Sequence, residues 1–396
     1  MAKRQSGSVD ATKNSTMLDF DDLNKELNNI SEYGSLLSDN PSGKIEDWIS
    51  TGSYTLNALI SGSIFKGIPS GRITVFSGVS ASGKTFMALN SAAQAQKKGY
   101  NVIWLDSENA LDIDNISNFG IDPKRFRHEL VNTVSEVSTY VKKLTSFLME
   151  KKKQKLTPPK IFIVLDSLGN LSTDKEIKDV ESGSDKADMT RAKDIKKMFR
   201  VLTTEIAKLQ IPMVMVNHVY ENITAFFGGT KQGGGSGVIY GSSITVKMSP
   251  LKLTDEQNGP KVGIIVKCEM DKARFTVPNV IKKIQIHFFK GMNPYVGLES
   301  FITEEAVNDI GFGPGKYVKT RDSYEYDGSE LPINFYLVNE KRQIKRNEMF
   351  KPKYFTQEVL EKIDKLAIDQ LQYSKALSDF SDVVDDIIND EDGDDD

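Results

Sequence analysis

Apolar positions along the chain fall into two periods. Short apolar runs, Arg72 to Ser77, Asn101 to Asp106, Ile161 to Asp166 and Pro212 to Asn217, are separated by longer stretches in which apolar residues recur every three or four positions. The runs read as buried strands and the stretches between them as helices. Their alternation predicts a doubly wound α/β core, a mostly parallel twisted sheet flanked by helices. In one helix Met189, Ala192, Phe199, Leu202, Ile206 and Leu209 line one face, while Lys193, Lys196, Lys197 and Arg200 lie toward others. This reads as a core helix with a solvated basic side. Three further strands, Ser243 to Met248, Val262 to Glu269 and Ile281 to Phe289, are spaced like antiparallel hairpins at the sheet's edge.

The flanks differ from this core. The first 15 or so residues are polar and small, and Met17 to Leu37 then carries Leu18, Leu23, Leu27 and Ile30 at the spacing of a short amphipathic helix. Beyond residue 300 the pattern weakens, although Leu360, Ile363, Leu366 and Leu371 mark a helix over Thr356 to Leu371. The expected organisation is a flexible N-terminus with an oligomerisation helix (1–45), a core (46–300), a small separate lobe (301–375) and an acidic, disordered tail (376–396).

Composition narrows the class. With 396 residues, 39% hydrophobic and 27% charged, the chain is an ordinary globular protein. Its single cysteine, Cys268, excludes an intrachain disulfide and leaves no cysteine zinc site, so it reads as a core residue. Neither a signal peptide nor a membrane span is evident, which predicts a soluble intracellular protein. The net charge of −4 conceals a division. Ala376 to Asp396 holds ten acidic residues and no Lys or Arg, so the remainder carries +6. A basic body suits an anionic polymer as partner, with the tail either an internal competitor for that surface or a solubilising extension.

Candidate chemistry begins at Gly78-Val-Ser-Ala-Ser-Gly-Lys-Thr85, which fits the phosphate-cradling pattern G-x-x-x-x-G-K-[ST] at every fixed position. A strand precedes it, and a helix with Phe86, Leu89 and Ala93 on one face follows, closed by Gly99. Gly78, Ser80, Ala81, Ser82, Gly83, Lys84, Thr85 and Phe86 are therefore the candidate nucleotide-binding residues. Backbone N–H groups of such a loop point at phosphates, Lys84 reaches the terminal phosphates, and the Thr85 hydroxyl can ligand Mg²⁺. The strand ending at Asp166-Ser167 has the form of a second metal-holding element, Asp166 acting on Mg²⁺ through water. Trp104-Leu-Asp106-Ser107-Glu108 brings a further carboxylate cluster to a strand end, and Glu108 is the candidate to orient and activate water.

These residues also carry a family resemblance. Ser50-Thr-Gly-Ser-Tyr-Thr-Leu-Asn-Ala-Leu59, Gly67-Ile-Pro-Ser-Gly-Arg-Ile-Thr-Val-Phe-Ser-Gly78 and Asp106-Ser-Glu-Asn-Ala-Leu-Asp112 resemble the opening of the RecA recombinase core. The resemblance runs on through Asp166-Ser167, Val216-Asn217-His218, a glycine-rich loop and Lys272-Ala-Arg274, covering roughly residues 46–300. Within the family the chain looks most like the bacteriophage UvsX-type recombinases, which carry His rather than Gln at the end of the fourth strand. It implies a DNA-dependent ATPase using ATP and Mg²⁺ that forms helical filaments on single-stranded DNA and pairs it with homologous duplex DNA in strand exchange. Recombination, repair and recombination-dependent replication in the host cytoplasm are implied with it, as are single-strand-binding and mediator proteins as partners.

Carried over residue by residue, the resemblance makes Glu108 the water-activating group and His218 the γ-phosphate sensor, with Lys272 and Arg274 reaching ATP across a subunit interface. The family's two DNA loops fall at about Gly169 to Asp188 and Glu221 to Gly241. Arg191 follows the first, while Phe226, Phe227, Lys231, Gly233 and Gly234 lie in the second. Glycine-rich backbone can approach phosphates closely, and the two phenylalanines can stack on bases. The chain departs from the pattern at Asn115, where bacterial members place the tyrosine that covers adenine; either Phe288 replaces that contact or base selectivity is looser. A hexameric helicase built on the same core and a regulatory filament component without useful turnover are the alternatives. Lys272-Ala-Arg274 argues against the first and the intact Glu108 against the second.

Overall fold

Strands buried on both faces need near-continuous apolar runs, and the four expected parallel strands have them. In a computed structural model of the chain, which describes residues 19–30, 44–182, 190–222, 229–232, 241–254, 259–315 and 334–373, they stand in one sheet. The chain divides into two units, 1–44 and 45–396. The first contributes helix α1 (Phe20–Ile30), within the expected Met17 to Leu37, with Lys25 and Asp22 paired at 2.7 Å.

The second unit opens with β1 (Trp48–Ile49), α2 (Tyr54–Ser61) and β2 (Ile68–Pro69). Next come β3 (Ile73–Gly78), α3 (Lys84–Lys97), β4 (Asn101–Asp106), α4 (Ile113–Asn118), β5 (Phe126–Leu130), α5 (Val134–Lys153) and β6 (Ile161–Asp166). They are followed by α6 (Asp174–Glu181), α7 (Arg191–Lys208), β7 (Met213–Asn222), β8 (Gly229–Gln232), β9 (Ile244–Thr254), β10 (Lys261–Lys272), β11 (Ile281–His287) and β12 (Gly291–Met292). Among the described residues the large sheet has the order β12-β11-β10-β9-β3-β7-β6-β4-β5, with β8 paired to β7. From β9 across to β5 the pairings on this path are parallel.

Side-chain alternation divides the core between the two faces of this sheet. Phe76, Trp104, Phe162, Val164 and Val214 meet the small residues Ala88, Ala92 and Ala95 of α3. Val75, Ile103, Ile163, Leu165 and Met215 face α5 and α7, which offer Val137, Val141, Met198, Phe199 and Leu202. The ends of the helices are fixed locally: Thr133 and Glu136 form a capping box on α5, and Gly62 closes α2 at φ 82°.

Three departures from the sequence expectations have physical causes. The strand expected at Ser243 to Met248 is not an edge hairpin: β9 runs parallel to β3 in the sheet interior and turns antiparallel only toward β10. The outer strand β5, Phe-Arg-His-Glu-Leu, carries no apolar run because an edge strand is only partly covered. Beyond residue 300 a second sheet forms from β13 (Phe312–Pro314), β14 (Asn334–Leu337) and β15 (Arg342–Lys345). The helices α8 (Val307–Ile310), α9 (Arg346–Met349) and α10 (Gln357–Leu371) accompany it.

This lobe is not separate from the core. Ala58 and Ile64 share a cluster with Phe301, Phe335, Ile363 and Leu371. The Ile64 N–H donates to Asp364 Oδ1 at 2.7 Å, and the Val277 N–H to the Leu371 carbonyl at 2.8 Å. A continuous apolar interface with hydrogen bonds on both sides binds the lobe to the core.

Candidate nucleotide site

The glycine-rich loop leaves β3 where no side chain fits. A Cβ at Gly78 would lie 2.2 Å from the Met248 carbonyl, and one at Gly83 (φ 86°) would lie 2.8 Å from Ile286 Cδ1. The loop is thus pressed onto β9 and β11. Gly83 opens α3 without a side-chain cap, so the first-turn N–H groups are left to meet an anion. Lys84, only 4% exposed, folds back to donate from Nζ to the Val79 carbonyl at 2.7 Å. Burial lowers its pKa, against the opposing pull of Asp166 and Glu108.

Parallel register lines up the strand ends: Gly78 stands opposite His218, and Asp106 opposite Asp166. The Thr85 hydroxyl donates to Asp166 Oδ2 at 2.8 Å, while Asp166 Oδ1 is buried without a hydrogen-bond partner. Burial, with Glu108 and Asp106 adding to it, pushes the Asp166 carboxyl up to about 7, while Thr85 and Lys84 pull the other way. A hydroxyl beside a buried carboxylate with an unused oxygen is a donor set suited to a hard divalent cation, whose charge would favour the ionised form.

Glu108 is held from two sides. Its Oε1 accepts the Ser167 hydroxyl at 2.5 Å and lies 2.9 Å from His218 Nε2. Ser107 and Ser167 brace the strands beneath, the Ser107 hydroxyl donating to the Ser167 carbonyl at 2.6 Å and the Ser167 N–H returning to Ser107 Oγ at 2.9 Å. These serine contacts, and a contact from His128 to Asp106, are the functional features that sequence reasoning missed. Ser167 was visible in the strand-end motif, but its acceptor was not.

Other candidates lie apart. Lys272 pairs with Thr245, which stands level with Val75, whereas Gly78 is level with Met248 and hence Cys268. Lys272 is therefore about 10 Å back along the strand direction from the phosphate-loop end, and Arg274 follows it past the end of β10. Burial first, and then Arg274, lower the pKa of both Arg72 and Lys272. Within one chain the register sets these cations back from the nucleotide site, toward the other end of the sheet.

Arg191 opens α7, donates through NH2 to the Gly169 carbonyl and stands 4.0 Å from Glu176. A Cβ on Gly169 would touch His218 Cβ at 3.5 Å, so His218, Gly169 and Arg191 are contiguous. The stretch expected to be the first DNA loop contains a capped helix, α6, and β8 occupies part of the second and carries Lys231. Phe226, Phe227, Gly233, Gly234 and the acidic tail lie outside the described residues. Phe86 packs edge-on against Phe119 with centroids 5.0 Å apart, while Phe288, just past the end of β11, is 54% exposed with the Lys261 ammonium over its ring.

The "Recombination and repair protein" of Enterobacteria phage T4 is 28% identical over 256 residues, 64% of this chain and 62% of that protein, so the match spans less than two thirds of its length. "Protein RecA" of Thermus aquaticus is 29% identical over 257 residues, 64% of this chain and 70% of that protein. "Protein RecA" of Rhodopirellula baltica is 29% identical over 297 residues, covering 74% and 73%. The RecA N-terminal domain matches residues 23–293, well over half of the chain and every strand of the large sheet, and the chain belongs to the RecA family.

Proposed function

We infer that this protein is a DNA-dependent ATPase of recombination and repair, which assembles into helical filaments on single-stranded DNA and drives homologous pairing and strand exchange. The observation that carries the reading is Glu108, held between Ser167 and His218 at the strand ends beside Lys84 and the Thr85–Asp166 pair. Family membership supplies the DNA side of it.

In this reading the loop from Gly78 to Thr85, with Phe86 behind it, holds the phosphates of ATP. Lys84 leaves the Val79 carbonyl for the β- and γ-phosphates, and the N–H groups opening α3 bind the same oxygens. Thr85 and Asp166 hold Mg²⁺, which when bound neutralises charge on the β- and γ-phosphates. Glu108 accepts a proton from the attacking water, and the Ser167 hydroxyl and His218 fix the direction in which its carboxylate points. Lys272 and Arg274 complete the site of the neighbouring subunit, where cations stabilise charge in the transferring phosphoryl group.

His218 is the γ-phosphate sensor. Its packing on Gly169, which accepts from Arg191, supports a route from phosphate to the DNA segments that flank β7 and α7. Arg191, Phe226, Phe227, Lys231, Gly233 and Gly234 bind DNA, and Phe288 takes the place at adenine that Asn115 does not fill. Helix α1 docks on the next subunit. Single-strand-binding and mediator proteins are the expected partners in the host cytoplasm. Among the described residues no helix is long and apolar enough to cross a membrane.

The test is ATP hydrolysis with and without single-stranded DNA, imaged in parallel by electron microscopy. DNA-stimulated turnover with open helical filaments supports the reading. Closed rings would favour a helicase, and absence of turnover a regulatory component.

A further inference from the structure

Asp106 is 2% exposed, yet four donors surround its carboxylate. Oδ1 accepts the backbone N–H groups of Glu108 and Asn109, both at 2.8 Å. Oδ2 accepts the Leu111 N–H at a long 3.5 Å and lies 3.0 Å from His128 Nε2. Asn109, immediately after Glu108, has φ 51°, a left-handed conformation that a carboxylate accepting from the turn's N–H groups helps to hold. His128 belongs to β5, opposite Trp104 in the register, so its ring reaches Asp106 along the same face of the sheet.

We propose that His128 is a positioning residue for Glu108, acting through Asp106; the proposal rests on Glu108 being the group that activates water. The chain of contacts is His128 Nε2 to Asp106 Oδ2, then Asp106 Oδ1 to the Glu108 N–H. Without His128, Oδ2 keeps only the 3.5 Å bond from Leu111, and a buried carboxylate oxygen short of donors rotates to recover them. That rotation loosens the two bonds that fix the Glu108 backbone. A displacement of the base by a fraction of an ångström lowers the chemical step more than it lowers ATP binding, because the phosphate loop is held by β9 and β11. No proton is gained or lost in this role: an imidazole protonated on Nε2 and an imidazolium both donate to Asp106.

The experiment measures DNA-stimulated ATP hydrolysis and thermal unfolding of the full chain carrying His128→Leu or His128→Gln. His128→Leu should lower kcat about 3- to 30-fold, with the KM for ATP and the unfolding temperature near the parent values. His128→Gln, whose amide nitrogen can donate to the same oxygen, should recover most of the loss. In a Glu108→Gln background, His128→Leu should add no further loss. Parent kcat in His128→Leu beside an impaired Glu108→Gln would overturn the proposal alone. So would a loss that glutamine does not restore, or one that adds to Glu108→Gln. Parent turnover by Glu108→Gln would instead overturn the reading of Glu108, and the proposal with it.

Discussion

Glu108 and His218 approach each other across the strand ends, Oε1 to Nε2 at 2.9 Å, although β6 lies between their strands in the sheet. The distance is bridged because Glu108 lies two residues past the end of β4, where the turn carries its side chain over β6 to the Ser167 hydroxyl and the imidazole beyond. One carboxylate is thus in contact with both the segment that ends β6 and the strand leading toward the glycine-rich segment. A change in the hydrogen bonding of Glu108 is felt directly at β7.

Lys84→Ala and Glu108→Gln should fail differently. Losing the buried ammonium removes a cation from the terminal phosphates, so Lys84→Ala should abolish turnover and weaken nucleotide binding. Glu108→Gln keeps the shape of the site and loses the base, so ATP should still bind while hydrolysis falls about 10²- to 10⁴-fold. Phosphate release together with binding of a fluorescent ATP analogue separates the two. Hydrolysis by Glu108→Gln at the parent rate would remove its assigned role.

Lys272 and Arg274 are set back from the nucleotide site of their own chain, toward the other end of the sheet, which leads to a mixing test. A Lys272→Ala/Arg274→Ala protein and a Lys84→Ala protein should each be inactive. Mixtures shown to co-assemble should regain part of the parent turnover, because some interfaces join an intact loop to intact cations. No recovery in such mixtures would count against a shared site.

Glu299 gives a pH-dependent stability. It is fully buried, its Oε2 accepts the Gly297 N–H at 2.7 Å, and its Oε1 has no hydrogen-bond partner. Burial raises its carboxyl to about 7, with Arg346, Lys282 and the backbone opposing. A folded-state pKa above the ordinary value means that the folded protein holds the proton more tightly. The contribution is therefore fully present below about pH 4.5 and is lost as the pH rises to about 7, an effect on the order of 3 kcal/mol. Glu299→Gln should gain stability relative to the parent between pH 5 and pH 8 in chemical denaturation. A difference that does not change with pH would show that Glu299 ionises normally.

The acidic tail should compete with DNA. Ten acidic residues follow a body of net charge +6, so any contact between them must break before phosphates bind. Removing Ala376 to Asp396 should tighten single-stranded DNA binding most at low salt, where screening is least. Equal affinities for full-length and truncated proteins across a salt titration would leave the tail as a solubilising extension or a docking segment for another protein.

The parallel strands and the phosphate loop were legible in the sequence because each is a local signal: Ile161 to Leu165 are apolar at every position, and the loop's glycines fall at fixed spacing. That Asp166 and Glu108 would meet at one end of the sheet could be anticipated from their positions at strand ends. What a linear reading could not supply is contact between segments distant in sequence. His128 joins Asp106 across the edge of the sheet, and Ser167 meets Glu108 59 residues away. β5 was hidden by its polar face, and the small C-terminal sheet by strands of three or four residues that carry little pattern of their own. The share of the core taken by Ala58 and Ile64 depends on packing partners some 300 residues away, as Ile64 and Asp364 illustrate.

The orientation of β10 has one further consequence, given the proposed sharing of sites. If a chain supplies the phosphate loop at one end of its sheet and Lys272 and Arg274 at the other, catalytic competence is a property of junctions rather than of molecules. A row of n subunits then has n − 1 working centres, with one terminus holding nucleotide it cannot hydrolyse and the other offering cations to nothing. Turnover per subunit climbs with length toward a plateau, and the two termini differ chemically, so growth and loss need not occur at the same end.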